Sequence, residues 1–135
     1  MFFIITAAKE DRLCIVPTSK NPTHIIGLWD VGRICGTKLQ PWTVEARTGQ
    51  RVSISLLDFS RSDSVESSQP CYNHGTIVDK TEKRNISICS DGTQRVKDIF
   101  QSTGNSVSIF LNQPDRKDAT GEDIQFILKI EGESL

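Results

Sequence analysis

The chain is expected to fold as an all-β protein, an antiparallel β-sandwich, and three observations carry that expectation. Apolar and polar residues alternate in several runs, most strictly at Val107, Ile109 and Leu111 and at Ile124, Phe126, Leu128 and Ile130. That is the period of a strand with one buried face. Turn signals separate the runs at intervals of about ten residues, the spacing of a sandwich rather than of βαβ units. Four cysteines in a chain of 135 residues read as a disulfide framework more readily than as free thiols.

Taken in order, the first forty residues are the least regular. Pro17, Pro22, Gly27, Gly32 and Gly36 punctuate them and leave no sustained helical period. They read as loops around short strands at Phe2 to Thr6 and Leu13 to Pro17. From Pro41 onward, Trp42, Val44 and Ala46 alternate with Thr43, Glu45 and Arg47. Thr48-Gly49 then turns the chain into Val52, Ile54 and Leu56. This predicts a hairpin from Pro41 to Phe59, with Gly49 supplying the positive φ of a tight connection and with Trp42 and Phe59 in the core.

Ser60 to Pro70 is rich in Ser, Asp and Glu and reads as a surface loop. Thr76 to Val78 and Asn85 to Cys89 follow as strands joined by the charged turn Asp79 to Arg84, which would let the cysteines at their outer ends meet. Asp91-Gly92 marks a turn. In Gln94 to Gln101, Val96 and Phe100 stand four apart, which suits one helical turn as well as a strand, so the segment is taken as irregular. Gln113 to Asp123, with Pro114 and Gly121, is a solvent loop between the two surest strands.

One domain is all that this length accommodates, with roughly two thirds of the unfolded surface buried. Sixteen Lys and Arg against seventeen Asp and Glu give a net charge of -1, so no one-signed field draws in nucleic acid. No run approaches the ~20 apolar residues of a membrane span. Residues 1–12 begin with an apolar stretch that lacks a basic n-region; they read as an extension, either a clipped signal remnant or a first strand. Residues 13–131 form the domain and 132–135 a tail. Four cysteines allow three pairings, and spacing alone does not choose among them. Zinc is disfavoured, because close Cys-x-x-Cys knuckles are missing.

The order of landmarks resembles a CUB domain, an extracellular jelly-roll sandwich. The landmarks are Cys14, Cys35, the Trp42-Thr-Val-Glu strand, Gly49-Gln-Arg-Val-Ser-Ile-Ser-Leu-Leu-Asp-Phe59, Cys71 and Cys89, Ser90-Asp-Gly, Gly104-Asn-Ser-Val-Ser-Ile, and a closing Ile-Gln-Phe-Ile-Leu-Lys-Ile. The second half matches more closely. In the first, Cys35 lies farther ahead of Trp42 than the family places it, and the Tyr-Pro landmark is missing. The resemblance implies Cys14 paired with Cys35 and Cys71 with Cys89, and a module that binds proteins and carries no catalysis. Many members hold calcium near one end. Here the family's central aspartate falls at Asn73 or His74, and Asp58, Asp63, Glu66, Asn112 and Asp115 offer scattered oxygens, with Asp58 and Asp115 the best placed. Six to eight oxygens at short range suit that cation, so no cofactor is expected.

His24 and His74 are the only histidines. Oxidised cysteines and the missing Gly-x-Ser-x-Gly elbow leave them without a nucleophile to serve, so no enzyme is expected. Trp29 and Trp42 suggest a sugar-stacking platform, against which stands a core role for Trp42 and a covering role for Trp29. Asn85-Ile-Ser87 is an N-glycosylation sequon. The expected function is therefore a non-catalytic, secreted or membrane-anchored interaction module. Its protein partner would be met by Ser60 to Pro70, Asp79 to Arg84 and Gln113 to Asp123 at one end; the alternative is a carbohydrate-binding sandwich.

Overall fold

The computed structural model describes residues 14–27, 33–59, 71–90, 95–112 and 126–134. Among them are nine strands: β1 (Ile15–Pro17), β2 (Thr23–Ile26), β3 (Trp42–Glu45), β4 (Gln50–Asp58), β5 (Tyr72–Asp79), β6 (Arg84–Ser90), β7 (Arg95–Gln101), β8 (Ser106–Leu111) and β9 (Phe126–Ser134). They form two sheets, ordered β1-β3-β8-β5-β6 and β2-β9-β4-β7. The antiparallel pairs β5·β6, β4·β7, β3·β8 and β2·β9 nest around one another, innermost to outermost. That concentric wrapping of a long hairpin across two sheets is a jelly roll.

The alternation that predicts the strands also builds the core. Val52, Ile54 and Leu56 of β4 and Leu128 and Ile130 of β9 point from one sheet into Val44, Ile77, Ile88, Val107 and Ile109 of the other, all buried. Each such side chain contributes about 1.5–3 kcal/mol relative to exposure. Their outward neighbours Ser53, Ser55 and Lys129 keep partial contact with solvent.

Several expectations are corrected. Trp42–Glu45 and Gln50–Asp58 are not a hairpin: β3 lies in one sheet and β4 in the other. Gly49 does take a positive φ of 85°, but the turn it makes carries the chain across the sandwich. Phe59 is 44% exposed and is no core residue. Within the segment Gln94 to Gln101, expected to be irregular, residues Arg95–Gln101 form β7, with a bulge that opposes Ile54 to Phe100 and Ser55 to Asp98 and leaves Ile99 extra. The extra residue inverts the alternation, so Val96 is 72% exposed while Phe100 is buried. The first forty residues hold a further strand, β2, and β1 pairs with β3 in parallel, so the sandwich is not wholly antiparallel. Phe2 to Thr6 lies outside the described residues.

Candidate functional site

One end of the sandwich collects the ends of most strands. Asp58 is opposite Phe126 and Arg95, Tyr72 is opposite Ser90, Gly75 is opposite Leu111, and Ile26 is opposite Ile127. The chain therefore departs from or returns to this rim on either side of segments 28–32, 60–70, 91–94 and 113–125. The turns at 80–83 and 102–105 lie at the other end, about 23 Å away along β5 at the usual rise per residue. Of the expected grouping, Ser60 to Pro70 and Gln113 to Asp123 lie outside the described residues, while the turn at 80–83 stands an eight-residue strand away from Cys71, which follows the first of them.

Both disulfides are at the rim. Cys14 joins Cys35 with Cα atoms 5.4 Å apart, and Cys71 joins Cys89 at 5.6 Å. The first ties the start of β1 to the segment before β3, where Thr43 N–H donates to the Cys14 carbonyl and Leu111 N–H to the Gly36 carbonyl, each at 2.8 Å. Gly36 has φ 89°, and a Cβ there would strike the Trp42 ring. Trp42 is half-buried under that backbone, with the Arg33 guanidinium 5.2 Å from its ring centre.

Beneath the rim a polar cluster bridges the sheets. The Ser90 hydroxyl donates to Asp58 Oδ1 at 3.0 Å, and His74 Nε2 lies 2.7 Å from Ser90 Oγ. Because the single hydroxyl proton goes to Asp58, Ser90 accepts from His74, which places the imidazole proton on Nε2. The ring packs 4.3 Å from Phe126 and 4.9 Å from Tyr72. Burial lowers the His74 pKa from 6.5 to about 4, against the pull of Asp58 in the opposite direction. All three residues are buried, so the imidazole is neutral at physiological pH and the cluster acts as a brace between sheets.

Sequence alone assigns these residues other roles: Asp58 a calcium oxygen, His74 a histidine without a nucleophile or the place of the family's central aspartate, and Ser90 part of a turn. A signal was present in Asp58, which continues the buried register of Val52, Ile54 and Leu56. His74 had none, because it occupies a bulge between Asn73 and Gly75. Asp58 faces the interior and Ser90, an arrangement unlike the open oxygen set a hard cation needs. Among the described residues no three His, Cys, Asp or Glu side chains gather to hold a metal. Asp63, Glu66, Asp115 and Trp29 lie outside the described residues.

His24 is exposed on β2, and Asn85 and Ser87 are exposed on the edge strand β6. At the far end Asp79 is fully buried and accepts from Thr81 N–H at 3.0 Å, Thr103 N–H at 3.1 Å and the Thr103 hydroxyl at 3.2 Å. Burial pushes its carboxyl up, but these donors and the Glu82 backbone together hold it below 3.8. No helix among the described residues is long and apolar enough to cross a membrane.

Fold and rim together define a disulfide-stapled jelly-roll sandwich. No family model matches the chain, and no curated protein matches it.

Proposed function

We propose that this chain is a non-catalytic extracellular interaction module of the CUB type, carried in a secreted or membrane-anchored receptor-type protein, and that it binds a protein partner at the rim. The observation that supports this reading is co-location: both disulfides and the Asp58, Ser90 and His74 brace stiffen the end where the longest connections begin and end. Connections held on a rigid frame are where binding residues concentrate. Two disulfides are compatible with an oxidising compartment. Asn85 is exposed one residue into β6, beside the turn at the far end, so a glycan there would leave the rim clear.

The test is a set of charge reversals in the chain made through a secretory route and assayed on a panel of extracellular proteins. Reversals within 60–70 and 113–123 should abolish binding, and reversals within 80–83 should leave it intact. Binding that is lost through the 80–83 turn and is indifferent to the rim would overturn the assignment.

A further inference from the structure

We propose that the outer face of the β2-β9-β4-β7 sheet is a self-association surface through which two copies of this chain form a twofold dimer. The pairing register aligns Ile26 with Ile127, Ile127 with Leu57, and Leu57 with Val96, one residue from each of the four strands. Residues directly opposite share a face. Their neighbours Ile25, Leu128 and Leu56 are buried, so this line points outward. Ile26 is 49% and Val96 72% exposed, and Leu57 and Ile127 are half-buried.

Outward positions of a half-solvated sheet are ordinarily polar. The next line along the strands obeys that rule, with His24, Lys129, Ser55 and Asp98 in register. Four strands thus make the same departure at the same level, and the result is a continuous apolar belt.

The flanking charges point to a second copy as the occupant. Lys129 lies on β9, beside the polar His24 of β2, while Asp98 lies on β7 at the opposite edge. A twofold axis parallel to the strands lays β2 of one copy over β7 of the other. Belt then stacks on belt, Ile26 meets the second copy's Val96, and His24 and Lys129 approach its Asp98. Both charged groups are already held: Asp98 by the Ser55 hydroxyl at 2.7 Å, and Lys129 by Glu131 at 3.2 Å. Such an interface is isologous and closes at two copies. A belt four strands wide spans about 15 Å, a contact smaller than a standard stable interface, so the dimer belongs to the weak, reversible class.

Sedimentation velocity of the full, oxidised chain across the micromolar range should show a monomer–dimer equilibrium. Val96→Lys and Ile26→Lys should each weaken it by about tenfold or more with melting unchanged, since both sites are exposed. Asp98→Lys should weaken it as well, and adding Lys129→Asp should restore it. Mixed Ile26→Cys and Val96→Cys chains should cross-link on oxidation, while either alone should not. A chain that stays monomeric, including one whose belt captures a different partner, overturns the proposal. So does a dimer indifferent to both lysine variants, or cross-linking within one cysteine variant alone.

Discussion

Ser90 on β6 donates its hydroxyl proton to Asp58 on β4 across 3.0 Å, and that bond runs from one sheet to the other. Elsewhere in the core the sheets meet through apolar side chains, whose attraction has no direction. A hydrogen bond has one, and here it sets the two sheets in a defined relation at the rim, with His74 closing the cluster from β5.

Stability should fall as the solution is made acidic, in a window set by His74. Its folded pKa of about 4 lies below the ordinary 6.5 because burial disfavours the charged ring, with Asp58 opposing. The unfolded chain takes up a proton near pH 6.5 that the folded chain refuses until about pH 4. The contribution of the neutral ring is therefore complete above that window and is lost on descending through it, a change on the order of 3 kcal/mol. Urea titrations at neutral pH and at the foot of the window check this, and His74→Gln should flatten most of the slope.

The Cys71–Cys89 bond closes a loop with a sequence separation of 18, which corresponds to about 3 kcal/mol of lost chain entropy in the unfolded state. Cys71→Ser/Cys89→Ser should lower the urea-derived stability by that order. Peptide mapping without reductant should recover Cys71 with Cys89 and Cys14 with Cys35. Four free thiols from protein made in a secretory host would contradict both pairings.

Asp79 ties the β5–β6 turn to the turn before β8. Asp79→Ala leaves the Thr81 and Thr103 amides without their carboxylate acceptor, and should cost about 2–4 kcal/mol. Glu82→Ala, at an exposed position of the same turn, should stay within about 0.5 kcal/mol. Because the Asp79 carboxyl is held below 3.8, its contribution is present above that pH and is lost as the pH falls further. Acid unfolding curves of the two variants should therefore diverge from one another only where the parent still holds Asp79 ionised.

Trp42 and Phe59 should separate cleanly. Trp42 is half-buried against Gly36 and Arg33, so Trp42→Ala should cost about 2–4 kcal/mol. Phe59→Ala, at a residue 44% exposed, should cost less than about 1 kcal/mol. Gly36→Ala should also destabilise, through its positive φ and the ring beside it. Thermal melts of the three variants check the order.

By itself the sequence determined which residues are strands and which faces are buried wherever alternation was unbroken. Val52, Ile54 and Leu56, Val107, Ile109 and Leu111, and Phe126, Leu128 and Ile130 are all core, and β5 and β6 form the hairpin that their short charged turn demands. Alternation reports a face but not a neighbour. That is why Trp42–Glu45 and Gln50–Asp58 read as one hairpin although they belong to different sheets. A bulge shifts the parity of a strand at a single residue, so it concealed both β7 and the inward turn of His74. Tertiary structure alone brought Asp58, His74 and Ser90 together from three strands, and aligned Ile26, Ile127, Leu57 and Val96 across four, because pairing register is a property of strands remote in sequence and no local pattern encodes it.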